Sequence, residues 1–191
     1  MTVHEQKDLG ITVNDTLHPR THIQNVVKKA NQRIGIIKRC FTGLDKKVCV
    51  LYRSIIRPVL EYAAPAWSPW LKKDIDLLES VQERCLSLAS GNEKLDSLRD
   101  RRKRADLTET YKMLNGYYKN DPNKFFSLSQ LRLRGHPLKL TKQHTNCDRG
   151  KYFFSNRVVD DWNSLPTETA TAPSLSTFKK RLRSLPKGQE G

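Results

Sequence analysis

The sequence predicts a mainly α-helical fold, a helical bundle with a short β element at the N-terminus and a loop-rich C-terminal part. Ile23, Val26, Val27, Ala30, Ile34 and Ile37 recur on one face at the spacing of a helix. Ile75, Leu78, Cys85, Leu86 and Ala89 repeat that pattern, and Leu107, Tyr111, Leu114 and Tyr118 form a third apolar stripe. The organisation expected is a β element over 1–19, a helical domain over 20–118, a loop and two-helix region over 119–185 and a disordered tail over 186–191. At 191 residues the chain is long enough to bury a core, as one domain or two small ones.

Element by element, Leu9, Ile11 and Val13 alternate with the period of a strand, and Asn14-Asp15 offers a turn, so 7–18 reads as a short strand or hairpin. Past Pro19 a helix is expected from about Thr21 to Cys40. Pro58 lacks an N–H and crowds the turn before it, so it is expected to kink or end a helix begun near Val48. Pro65 and Pro69 bracket Trp67 and Trp70 in a stretch too rich in proline for regular helix. Asp74 is expected to cap the next helix and Gly91 to stop it. The interval 93–118 opens on the densest charge run and closes at Gly116, a residue suited to a helix terminus. From 120 to 149 the chain is polar and turn-rich, with Leu131, Leu133, Leu138 and Leu140 scattered through a loop that holds one short strand at most. A helix is expected from Tyr152 to Trp162, with Ser164-Leu165-Pro166 as its exit. Ser174 then caps a last helix to about Leu185 that packs Leu175, Phe178 and Leu182.

Charge is the strongest bulk signal: 35 Lys+Arg stand against 20 Asp+Glu, a formal net charge of +15. Residues 1–95 carry 15 basic and 10 acidic side chains, and residues 96–191 carry 20 and 10. Such an excess draws polyanions through counterion release, and nucleic acid is the commonest such partner; solubility alone or anionic lipid is the blander account. Cys40, Cys49, Cys85 and Cys147 show no paired CxxC spacing, which fits reduced thiols in the nucleus or cytoplasm better than a disulfide framework. No signal sequence opens the chain and no apolar run is long enough to span a bilayer, so an intracellular protein without a membrane partner is expected.

The stretch from Leu51 to Cys85 joins a Leu-Tyr pair (Leu51-Tyr52), Arg57-Pro58, Leu60-Glu61-Tyr62, Trp67-Ser68-Pro69, Leu78-Glu79 and Val81-Gln82 in one order. It resembles the thumb that follows the palm in non-LTR retrotransposon reverse transcriptases of the jockey-like class. Lys7-Asp8-Leu9-Gly10-Ile11 resembles the Leu-Gly strand that closes their palm beside the primer. Tyr111-Lys112-Met113-Leu114-Asn115-Gly116 is similar to a helix end of the family. Arg134-Gly135-His136, then Phe153-Phe154-Ser155-Asn156-Arg157-Val158-Val159, then Trp162-Asn163-Ser164-Leu165-Pro166, follow in the family's order, and Phe178-Lys179 with Leu182 resembles its last helix. The resemblance covers roughly residues 7 to 185. It implies that 1–19 ends a palm-like β element and that 20–118 is thumb-like. It departs from the family in 93–118, where a helix, loop and second helix are compressed.

What the resemblance implies is a thumb and C-terminal fragment of an RNA-directed DNA polymerase. Such a fragment grips a template–primer RNA/DNA duplex through its phosphates. The parent's palm and fingers, with their Mg2+, carry the chemistry, so this chain alone is expected to hold no cofactor and to catalyse nothing. Two alternatives stay open: a domesticated helical module that binds a protein partner, and a degenerate element fragment without function.

Asp160-Asp161 invites comparison with a polymerase metal pair, since two metal ions there need paired carboxylates. The pair lies in an amphipathic helical pattern and after the Leu-Gly segment, so a catalytic role is rejected. His136, His144 and Cys147 cluster loosely, but they lack a fourth ligand and the paired spacing of a zinc site. Asp74 and Asp76 read as helix-start acids, favoured there by the macrodipole. The candidates for phosphate contact are Leu9 and Gly10, where glycine admits close backbone approach, and Lys28 and Arg39 opposite the apolar face of their helix. Lys72 and Lys73 join them because cations at a helix start oppose the dipole, a cost that an external phosphate offsets. Arg99, Arg101, Arg102, Lys103 and Arg104 complete the set; a solvated helix face explains that run equally well. Trp67 and Trp70 have the chemistry to stack on bases, but they interrupt an apolar run and are expected in the core.

Overall fold

The computed structural model describes residues 5–41, 47–88, 95–129 and 135–185. The chain is mainly α-helical with a short hairpin at the N-terminus, as the periodicities predict. It divides into two compact units, Met1–Arg99 and Asp100–Gly191.

In the first unit β1 (Glu5–Asp8) pairs antiparallel with β2 (Ile11–Asn14), and Asp8 faces Ile11 at the tight end. Leu9 and Gly10 are therefore the turn and not part of a strand. Both have positive φ, +43° and +87°. That pair of values is the type I′ turn, whose twist matches that of the strands it joins. Helix α1 (Arg20–Cys40) follows with all six predicted apolar positions buried. His22 is buried beside them; its Nδ1 accepts the backbone N–H of Thr12 at 3.1 Å, which docks β2 on α1. The ring edge of His22 meets Trp67.

Helix α2 (Val48–Leu51) runs into a π-helical turn, Tyr52–Ile56, and on into α3 (Arg57–Glu61). Pro58 thus does not end the helix. The wide turn, closed by the Arg57 N–H on the Tyr52 carbonyl, shifts the ladder just before the proline, so its missing N–H falls in a first turn. Arg33 Nη1 donates to the Ile55 carbonyl of that turn at 2.7 Å. The proline-rich stretch also holds one helical turn, α4 (Ala64–Trp67), because Pro65 sits where no N–H is needed. Ala63, at φ +50°, reverses the chain before it. Trp67 is buried, as expected, and its Nε1 donates to the Tyr62 carbonyl at 2.7 Å. Trp70 is half-buried, its ring 4.7 Å from that of His18.

Helix α5 (Lys72–Leu86) starts ahead of the predicted cap: Leu71 is extended, and its carbonyl accepts from Asp74 and Ile75. Asp74 is therefore a buried residue of the first turn and not the cap. Leu78, Val81 and Cys85 are buried, while Ile75 and Leu86 are half-buried; Ala89 and Gly91 lie outside the described residues. Tyr52 Oη donates to Gln82 Oε1 at 2.6 Å, tying the π turn to α5. The four cysteines form no disulfide, and burial, with Cys49 nearby, pushes the Cys85 thiol up to about 11.

The boundary between the units falls in the first turn of α6 (Leu98–Leu114). That helix ends in a Schellman motif. Gly116, at φ +70°, lets its own N–H reach the Met113 carbonyl and the Tyr117 N–H reach the Lys112 carbonyl at 3.0 Å. Tyr118 lies past this stop and is exposed, so it leaves the predicted stripe. A 3₁₀ turn (Pro122–Lys124) precedes β3 (Ser127–Leu128), which pairs with β4 (Leu140–Thr141). Two strand pieces thus stand where one was expected; Leu131, Leu133 and Arg134 lie outside the described residues. The predicted helix over 152–162 is α8 (Phe154–Asn163), which starts after the extended Phe153, and a short α7 (Asp148–Tyr152), not foreseen, precedes it. A short α9 (Thr167–Ala170), not foreseen, leads to α10 (Leu175–Ser184), where Ser174 Oγ accepts the Thr177 N–H at 3.2 Å as predicted of a cap. The tail from Pro186 lies outside the described residues.

Trp162 and Phe178 are wholly buried at the centre of the second core, where Tyr111 stacks on Phe178 with ring centroids 4.4 Å apart. Two asparagines pin the loop to this core by imitating strand pairing. Asn156 accepts from Gln143 N and donates to Gln143 O, both at 3.1 Å, and Asn163 does the same with Leu140 at 2.8 Å.

Burial lowers the pKa of His22 in the first unit and of His136 in the second. The unfolded chain therefore binds protons first as pH falls through the ordinary histidine value of about 6.5. The stability tied to these neutral rings is complete above that value and is lost below it. Melting midpoints should drop between about pH 7.5 and about pH 5, and a flat profile would contradict neutral burial.

Candidate nucleic-acid interface

In the first unit a groove of about 510 Å³ opens between the Leu9–Gly10 turn, α1 and α3. Lys7, Lys29 and Arg33 line it with Leu9, Gly10 and Tyr62, and among the described residues no carboxylate does. The cause is partly local: α1 places Asn25, Lys29 and Arg33 four residues apart, in a stripe beside its buried face. It is also compositional, since no Asp or Glu occurs between Asp15 and Asp45. Lys7 and Lys29 are exposed and have no ion-pair partner among the described residues. Arg33, held on the Ile55 carbonyl, adds a fixed charge. A concave surface lined by one sign of charge concentrates its field and raises the local density of counterions.

The turn on its rim is exposed and fixed. Leu9 is 84% exposed, yet its carbonyl accepts from Tyr62 Oη at 3.1 Å. A leucine in the left-handed region costs about 1–2 kcal/mol, a strain the turn carries on its surface. A Cβ on Gly10 would meet the Tyr62 ring at 3.5 Å, an ordinary contact, so it is the positive φ and not space that favours glycine.

Of the predicted contact residues, the structure brings Leu9 and Gly10 into this groove. Lys28 is exposed next to Lys29 without lining it, and Arg39 is exposed in the last turn of α1, where it complements the helix dipole. Lys72 and Lys73 are exposed in the first turn of α5. Arg99 is exposed, and the N-terminus of its helix is capped from α5: Glu79 accepts from Leu98 N at 3.1 Å and from Arg99 N at 2.9 Å. The rest of that run belongs to the second unit and is not one solvated strip. Arg102 is buried, Arg101 and Arg104 are half-buried, and Lys103 pairs with Asp161 at 3.1 Å. Lys7, Lys29, Arg33 and Tyr62 were not foreseen. The four-residue step from Lys29 to Arg33 was the one signal in the sequence; Lys7 and Tyr62 reach the groove only through the tertiary fold.

Asp160 is paired with Lys142 and Asp161 with Lys103, and among the described residues no three His, Cys, Asp or Glu converge. His136 is buried with Nε2 2.9 Å from the Trp162 carbonyl, while His144 and Cys147 are exposed. Among the described residues no helix is long and apolar enough to cross a membrane. No protein-family model, curated protein or solved structure matches this chain.

Proposed function

We propose that this chain is the thumb and C-terminal part of a non-LTR retrotransposon reverse transcriptase and that it grips a template–primer duplex by its phosphates. The observation that carries the reading is the groove with Lys7, Lys29 and Arg33 on its walls, no carboxylate among the described residues that line it, and the Leu9–Gly10 turn on its rim. The ordered resemblance from residue 7 to residue 185 supports the family reading, and the groove supports contact with phosphates. Its contacts are cationic side chains and backbone, which position a duplex without reading its bases. Polymer synthesis, with its Mg2+, is assigned to the parent's palm and fingers, and the cellular setting that follows is the nucleus or cytoplasm.

The test is a salt titration of binding to a primed RNA–DNA duplex, followed by mobility shift or anisotropy. Three or more phosphate contacts give a slope of log affinity against log salt of about −3 or steeper. A helical module that binds only a protein partner would give no shift at any salt concentration, and that result would overturn the reading.

A further inference from the structure

Helix α10 in the second unit is anchored on one face, and every charged side chain exposed on the other is a cation. Phe178 and Leu182 are buried in the core, and Ser174 holds the N-terminus. The exposed positions of the helix are Ser176, Lys179, Lys180, Arg183 and Ser184. No Asp or Glu occurs between Glu168 and Glu190, and among the described residues none of Lys179, Lys180 and Arg183 has an ion-pair partner. Arg181 is half-buried and donates to the Glu168 carbonyl.

Cations in the last turn of a helix favour its dipole, which accounts for Arg181 and Arg183. It does not account for Lys179 and Lys180, which stand mid-helix, where the dipole effect has fallen off. Lys179 and Arg183 are one helical turn apart and so share a face, with Lys180 beside them. A membrane surface is the other polyanion such a face would meet. An interfacial helix, however, must bury apolar side chains between the lipids, and every exposed side chain of α10 is polar or charged.

We propose that Lys179, Lys180 and Arg183 form a second nucleic-acid contact, which holds the phosphate backbone irrespective of base sequence. The proposal rests on the reading of the chain as a nucleic-acid-binding protein, and it adds a site on a unit to which the groove does not belong. It predicts that charge, and not the identity of the side chain, matters at these positions.

The experiment compares the full chain with its K179Q/K180Q/R183Q and K179R/K180R/R183K variants on one fluorescent primed duplex over a range of salt. The neutral variant should flatten the salt slope by about 2 to 3, since each lost phosphate contact removes about 0.9. The charge-keeping variant should retain the wild-type slope, and both should melt like the wild type because these side chains project to solvent. A neutral variant with the wild-type slope overturns the proposal and leaves the groove reading standing. A wild type that does not bind duplex overturns both. Capture by phosphatidylserine vesicles, lost in the neutral variant while duplex binding persists, assigns the face to lipid and also overturns it.

Discussion

Replacing Asp106 by alanine is expected to destabilise the second unit by about 3–5 kcal/mol. Arg157 forks across this carboxylate, Nε to Oδ2 at 2.9 Å and Nη2 to Oδ1 at 3.0 Å, and neither side chain is well exposed. Arg157 Nη1 also donates to the Tyr152 carbonyl at 3.2 Å, and its guanidinium lies over the Phe154 ring. Burial holds the Asp106 carboxyl above its ordinary value even with this partner, so removal from water outweighs the attraction. The pair therefore adds little stability over an apolar pair of the same shape, yet breaking it strands a charge in a poorly solvated place. Changing both partners together, Asp106→Leu with Arg157→Met, should be near neutral by comparison. Chemical denaturation of the wild type and the two variants checks this. A single alanine variant that loses no more than a surface substitution would show that water already reaches the pair.

That pair also explains why parts of the chain could be read in advance. Asn156, Arg157, Trp162 and Asn163 belong to the motifs that carried the resemblance, and each serves the fold by pinning a loop, forking a carboxylate or filling the core. Helix α1 was legible because its apolar period runs uninterrupted, and the starts and stops at Ser174 and Gly116 were legible because their chemistry is local. The hairpin was only half legible. Type I′ turns favour Asn or Gly at both central positions, and a leucine at the first hides the turn inside an alternating pattern. Pro58 does not end its helix because a wide turn just before it absorbs the missing N–H, and Asp74 misled because a helix start depends on where Leu71 is extended. The basic run over 99–104 read as one strip because sequence does not show that Arg102 turns inward or that Asp161 comes to Lys103. The groove was the least legible part, since Lys7, Lys29, Arg33 and Tyr62 come from three separate segments.

Neutralising two of those residues should weaken binding strongly. Lys7 and Lys29 are exposed, so glutamine at both positions removes charge without disturbing a core, whereas Arg33 also serves the Ile55 carbonyl and is left in place. Two lost phosphate contacts should weaken duplex affinity about tenfold or more near 0.1 M salt. The most direct measurement is therefore the salt slope of primed-duplex binding for the full chain and its K7Q/K29Q variant, with both shown by circular dichroism to be equally folded. The account predicts a slope shallower by about 1.8 in the variant. Identical slopes in the two proteins would contradict it, because the strand would then lie somewhere other than the groove.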